Sequence, residues 1–273
     1  MQTTKHLIIF CILFVALEHV ECRIFSSPNK NKTKAIATTR KNSTIEVIHV
    51  YHYNNNLREK NKKVNKNVTY TFPDGTKYYG QFKNGKLDGT GVMTWTNGER
   101  YEGHFRNGKR SGHGIYYFAD GTKYFGQFKD GEFHGEGVMT WKNGARYEGH
   151  FENGEKRGQG TYYFTDGKKY VGPFENGKFN GKGVLTSKTG TRYEGRFFNG
   201  QVIGYGVLSM ANGDVYAGVF LNNKFHGRGV YKYANGDLFQ GNFKNGKKDG
   251  KGKMVYADGK IQKGIWKEDK LIT

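Results

Sequence analysis

All 41 glycines of the chain fall at Gly75, Gly80, Gly85, Gly89 or Gly91, or at one of these positions plus a multiple of 23 residues. The aromatic residues keep the same register. One row runs Tyr78, Tyr101, Tyr124, Tyr147, Tyr170, Tyr193, Tyr216 and Phe239; a second runs Phe82, Phe105, Phe128, Phe151, Phe174, Phe197, Phe220 and Phe243, then Trp266. A fixed period of this length predicts a repeat architecture, in which no unit buries its own apolar face and each must stack on its neighbours.

Within a unit, Tyr78, Gly80 and Phe82 alternate with polar residues, so they share one face of a strand. Asn84-Gly85 then supplies the positive-φ residues of a tight hairpin, and Asn107-Gly108, Asn153-Gly154, Asn176-Gly177, Asn199-Gly200 and Asn245-Gly246 repeat it. Asp130-Gly131 and Asn222-Asn223 keep the same turn chemistry. A second strand near residues 90–95 and a second turn at Asn97-Gly98 return the chain to the next tyrosine. The prediction is an all-β fold: an elongated, single-layer antiparallel meander of 23-residue β-hairpins, with an aromatic and glycine ladder in place of a globular core. Eight units at about 4.8 Å per strand predict a ribbon about 75 Å long.

The units YEGHFRNGKRSGHG and YEGHFENGEKRGQG resemble MORN repeats (membrane occupation and recognition nexus), and the resemblance extends over about residues 72–266. It implies the same ribbon of hairpins. It also implies a non-catalytic scaffold concerned with protein binding, dimerisation and attachment near membranes, with no cofactor. A longer period is superposed: Met93-Thr94-Trp95 recurs at Met139-Thr140-Trp141, and Tyr116-Tyr117-Phe118 at Tyr162-Tyr163-Phe164, a shift of two units. Pro173 interrupts the strand pattern of its unit, where it is expected to bend or loosen the ribbon.

The array is preceded by two segments of different character. Residues 1–22 carry Lys5, an apolar run at 7–17 (LIIFCILFVAL) and Val20-Glu21-Cys22, the pattern of a secretory signal peptide cut after Cys22. The run is shorter than the roughly 20 residues a bilayer-spanning helix needs. The only cysteines are Cys11 and Cys22, so cleavage leaves no thiol for a disulfide or metal site. Residues 23–70 contain no glycine and carry a net charge of +9, from eleven basic residues against Glu46 and Glu59. Such an arm is expected to be mostly disordered, apart from one strand at 45–53 (IEVIHVYHY). All three N-x-Ser/Thr acceptors, Asn31, Asn42 and Asn67, lie in the arm, which suits exposed chain inside the secretory pathway. Residues 267–273 read as a short tail.

The whole chain has a formal charge of +20, of which +12 remains on the array and tail. That balance favours acidic partners without choosing among them. The residue before the leading aromatic is Lys77, Arg100, Lys123, Arg146, Lys169 and Arg192, then Val215 and Leu238. The six cations are expected to line the face opposite the aromatic row at about 10 Å intervals, a candidate ladder for an acidic protein or anionic membrane. Glu102, Glu148 and Glu194 lie two residues beyond the arginines on the same face and neutralise half of it. His104 and His150 are in phase but two units apart, too far for a shared metal, and His113, His134 and His226 read as solvated. Polar residues repeat evenly and form no singular catalytic constellation. Nucleic acid fits poorly with a secreted chain that has no recognised binding module.

The preferred reading is therefore a secreted, non-catalytic scaffold that binds an acidic partner or membrane through its faces, and itself through its open edges. Lys248, Lys251, Lys253 and Lys263 near the C-terminal edge oppose such pairing. A second reading is a secreted carbohydrate-binding repeat module, against which tryptophan is scarce: Trp95, Trp141 and Trp266 only. A third, should the N-terminal signal go unused, is a cytoplasmic scaffold at a membrane or the cytoskeleton.

Overall fold

The computed structural model describes residues 20–26, 33–41, 44–52 and 67–273, in two separate units. In the first unit, β1 (Val20–Ser26), β2 (Thr33–Lys41) and β3 (Thr44–His52) pair antiparallel in chain order. The arm thus carries β2 beyond the strand read at 45–53, and β1 reaches into it from Val20; the sequence TKAIATTRK of β2 is rich in the β-branched residues that favour a pleated backbone. Residues 1–19 of the signal reading, and the acceptors Asn31 and Asn42, lie outside the described residues. Asn67 is described and exposed.

The second unit is one antiparallel meander of twenty strands, β4 (Val68–Thr71) to β23 (Lys270–Leu271). Each strand pairs with the next along the chain, except that β14 (Lys178–Phe179) and β15 (Gly181–Thr186) both pair with β13 (Lys169–Glu175); no ladder joins the first to the last, and the sheet is open. Asn84 (φ 51°) and Gly85 (φ 72°) both occupy the left-handed region that the two-residue hairpin needs. Asn222 and Asn223 adopt the same turn at 49° and 65°. So do Glu268 and Asp269, at 45° and 70°, and residues 267–273 are accordingly the ninth hairpin turn and a closing strand, not a tail. Turns are also tied between units: the Gly108 amide donates to the Leu87 carbonyl at 2.8 Å, and the bond recurs down the sheet to Asp269 and Lys248 at 3.0 Å.

The leading tyrosines carry the fold. Each lies back over its own strand and the next, covering two glycines that face one another: Tyr78 covers the pair Gly80 and Gly91, and Tyr124 the pair Gly126 and Gly137. A Cβ on either glycine would collide with the ring. The hydroxyl then donates to the carbonyl three residues on, Tyr78 to Gln81 at 2.9 Å and Tyr124 to Gln127 at 2.9 Å, and the bond recurs in all seven tyrosine units. Phe239 fills the eighth place without a hydroxyl.

Each ring also meets two phenylalanines edge to face: Tyr78 lies 5.2 Å from Phe82 of its own unit and 5.2 Å from Phe105 of the next. This ladder runs unbroken to Phe239 and Trp266, 5.1 Å apart, and each contact adds about 0.5–1.5 kcal/mol beyond burial. The rings are the core: Tyr78, Tyr101, Tyr124, Tyr147, Tyr170 and Tyr216 have no exposed surface.

Pro173 does not break its own strand, β13 (Lys169–Glu175). The break falls on the partner, which divides into β14 (Lys178–Phe179) and β15 (Gly181–Thr186) at Asn180. The equivalent position in several other units is a register shift, for instance between Gly80 and Phe82, so an amide there is dispensable. The Pro173 carbonyl still accepts from Asn180 and from Tyr170, each at 3.0 Å.

Two predictions follow from this packing. Gly137→Ala should destabilise the array by about 1–3 kcal/mol or more, because Tyr124 must leave its seat. Tyr124→Phe should cost only about 1 kcal/mol, the worth of its hydroxyl bond; denaturant melts of the two variants compare them directly. Burial holds the phenols of Tyr170, Tyr193 and Tyr216 at about 12 against an ordinary 10.0. The unfolded chain therefore releases protons before the folded one, so stability is intact below pH 10 and falls between 10 and 12. The tyrosinate absorbance of the ladder rings should rise together with loss of the β circular-dichroism signal, not ahead of it.

Candidate functional site

Because the tyrosine ladder occupies one face, the opposite, outward face carries the residues free to vary. Cross-strand register lines up Lys77, Thr94, Arg100, Tyr117, Lys123, Thr140, Arg146, Tyr163, Lys169, Thr186 and Arg192 in one continuous row. A cation stands on every second strand, about 10 Å from the next. The six candidate cations are thus brought into a single line.

They are not equivalent. Arg100 is ion-paired to Glu102, Arg146 to Glu148 at 2.7 Å, and Arg192 to Glu194 at 2.7 Å. Exposed pairs of this kind add little stability, but they cancel charge. Lys77, Lys123 and Lys169 have no ion pair among the described residues; Lys123 lies 5.5 Å from the centre of the Tyr117 ring and Lys169 5.5 Å from that of Tyr163. Where the arginine units carry glutamate, the lysine units carry Tyr79, Phe125 and Val171, which are 53%, 38% and 43% exposed. Val92, Ile115, Val138, Val184 and Val207 continue this second row between them. The result is three stations, each a free ammonium beside an exposed apolar side chain, about 19 Å apart.

The inward face holds a slot that sequence reading missed, two residues after each Asn-Gly turn. Phe133, Phe179 and Phe225 stack there on Tyr124, Tyr170 and Tyr216 at 4.0, 3.9 and 3.8 Å. At Arg110, Lys156 and Lys248 a cation takes the slot, and at Leu87 and Val202 an aliphatic side chain. Arg110 sits 4.8 Å over Tyr116 and donates to the Gly131 carbonyl at 2.7 Å, while Lys156 lies 5.2 Å from both Trp141 and Tyr162. Burial pushes the Lys156 ammonium below its ordinary pKa. The available signal was the two-unit period, read at Trp95 and Trp141 but not carried to this slot.

Histidines from neighbouring strands also meet on the outward face. His134 and His150 have ring centres 6.3 Å apart, and His150 Nδ1 lies 3.6 Å from Glu136. Burial, and secondarily His104, hold His113 below its ordinary pKa. Among the described residues, no group of three potential ligands gathers to hold a metal.

The MORN repeat family model matches eight consecutive segments, 78–100, 101–123, 124–146, 147–169, 170–192, 193–215, 216–238 and 239–261. The chain belongs to the MORN repeat family. It is therefore a MORN-repeat β-hairpin scaffold, of a family that is typically non-catalytic. No curated protein matches it. Among solved structures, the MORN array resembles the SAS-4 (dCPAP) TCP domain of Drosophila melanogaster, in complex with a proline-rich motif of Ana2 (dSTIL). Identity is 12%, coverage 77% of this chain and 97% of that one, and the TM-score 0.33. A likeness of that size has no bearing on partner or activity.

If the glutamates mask the arginines, Glu102→Gln, Glu148→Gln and Glu194→Gln together should free three charges on the outward face. Retention on a sulfonate cation-exchange resin should rise by more than the same three substitutions made at unpaired surface acids.

Proposed function

We propose that this protein is a non-catalytic binding scaffold of the secretory pathway that lays the outward face of its array on an anionic surface, a membrane in the first instance or an acidic protein. The observation that carries this reading is the pairing of each unmasked lysine with an exposed apolar neighbour: Lys77 with Tyr79, Lys123 with Phe125, Lys169 with Val171. A cation near an anionic headgroup layer gains about 1 kcal/mol, and an adjacent aromatic or aliphatic group enters the interface beside it. The masked arginines space these stations apart. The leading tyrosines are buried within the inner ladder, so they offer no platforms for stacking on sugars.

The N-terminal pattern of residues 1–22 and the exposed acceptor Asn67 support the secretory part of the proposal. Expression of the full chain in a eukaryotic secretory cell should yield a new N-terminus at Arg23 and an endoglycosidase-sensitive shift removed by Asn67→Gln together with Asn31→Gln and Asn42→Gln. An intact Met1 with no glycan would contradict it.

For the surface, the array should co-sediment with phosphatidylserine-containing vesicles and not with neutral phosphatidylcholine vesicles. Lys77→Gln, Lys123→Gln and Lys169→Gln together should weaken binding by about 3 kcal/mol, roughly a hundredfold. Tyr79→Ser with Phe125→Ser should lower the part of the binding that survives high salt. Equal binding to neutral vesicles, or an unaffected triple variant, would overturn the proposal.

A further inference from the structure

Beyond Arg192 the two outward rows exchange character. The row that carried the cations becomes mostly apolar at Val215, Leu238, Val255 and Ile261, interrupted by Lys232. The neighbouring row, which carried Glu102, Glu148 and Glu194 among apolar side chains and is aliphatic from Val207 through Ala217 to Val230, becomes Gln240, Lys253 and Lys263. Lys253 on β21 (Lys247–Val255) stands directly opposite Lys263 on β22 (Ile261–Lys267), and Lys251, opposite Ile265, is the diagonal neighbour. Like charges directly opposite in an antiparallel pair are destabilising. Nearby acids do not relieve them: Asp249 is held by Lys267 at 3.3 Å and Glu268 by Lys247 at 3.6 Å. Among the described residues, Lys251, Lys253 and Lys263 have neither an ion pair nor a side-chain hydrogen bond.

These three lysines and Gln240 line an open depression of about 520 Å³, with Gly252 and Gly264 between them. The outward stations described above are about 19 Å apart and cannot converge on one group, whereas side chains at facing and diagonal positions here lie within about 5–8 Å. Three ammoniums without a carboxylate match an oxyanion of more than one charge, approached from several sides by point-charge donors. The depression is open and wider than a single phosphate needs.

We propose that this depression is a binding site for a phosphate or sulfate ester on a sugar-sized body, held by Lys251, Lys253 and Lys263 with the Gln240 amide at the rim. The repulsion between Lys253 and Lys263 is then relieved on binding. Such a site is separate from the surface contact proposed above, and either can fail without the other.

The test is calorimetric titration of the full chain with glucose 6-phosphate and glucose 6-sulfate, and in a second arm with vesicles carrying phosphatidylinositol 4-phosphate against vesicles matched in charge by phosphatidylserine. Saturable one-to-one binding of a soluble ester is expected. Lys253→Gln with Lys263→Gln should weaken it by about tenfold or more, while Lys77→Gln, Lys123→Gln and Lys169→Gln together leave it unchanged. Preference for the phosphoinositide vesicles, lost in the same double variant, would assign the ester to a lipid headgroup and support the same chemistry. Lys263→Gln alone should raise the melting temperature of the unliganded protein, which separates a lost site from a lost fold. No saturable binding in either arm, or an equal loss of soluble-ester binding in the Lys77, Lys123 and Lys169 variant, would overturn the proposal. So would association of the double variant into oligomers with no ester effect, which would make the lysines guards of the sheet edge.

Discussion

A tyrosine ring seated across two facing glycines is the contact on which the rest of this structure depends. A single sheet has no second layer to bury its apolar face, and here the rings lie flat on the backbone and supply that layer themselves. The arrangement needs glycine at both positions under the ring, since a Cβ at Gly80 or Gly91 would occupy the space of Tyr78. It also needs the phenylalanine edges that close the ring from its own unit and from the next. Burial and the hydroxyl bond to the carbonyl three residues on follow from that seating.

Division of labour between the two faces is the consequence. The inward face is committed to the ladder; it varies opposite the tyrosines, at Met93, Tyr116 and Leu185, and in the slot after the turn, where phenylalanine and cation alternate at Arg110, Phe133, Lys156 and Phe179. The outward face has no such duty. It carries masked arginines, unmasked lysines beside exposed apolar groups, and a lysine-lined hollow at its C-terminal end. Between Lys77 and Arg192 two-unit alternation appears on both faces, so the structural repeat there is a pair of units, four strands wide.

Strand, turn and face were legible in the sequence because each rests on local chemistry repeated in phase: Asn84-Gly85 has few conformations available, and Tyr78, Gly80 and Phe82 can share only one face of a strand. The masking of Arg100 by Glu102 was legible for the same reason, since both residues sit on one strand. Contacts set by pairing between strands were not. His134 meets His150, and Lys253 opposes Lys263, through a register that in-phase comparison does not reveal. The closing hairpin was hidden because Glu268-Asp269 has no glycine to mark its turn, although Asp tolerates the left-handed region there. The interruption read at Pro173 falls on its partner strand at Asn180 and not on its own, because the bulge position that Pro173 occupies makes its missing amide dispensable there.

Glycine Cα-proton chemical shifts of the full chain, recorded by carbon-resolved NMR, test the seating of the rings most directly. Protons held beneath an aromatic face are shifted far upfield, so the glycines of the covered pairs, from Gly80 and Gly91 to Gly241 and Gly252, should separate from the turn glycines such as Gly85 and Gly98. Tyr124→Leu should return Gly126 and Gly137 toward ordinary values while leaving distant pairs in place. A single narrow glycine envelope, in a protein that still shows β structure, would mean that the rings do not lie on the glycines and that something else holds the sheet together.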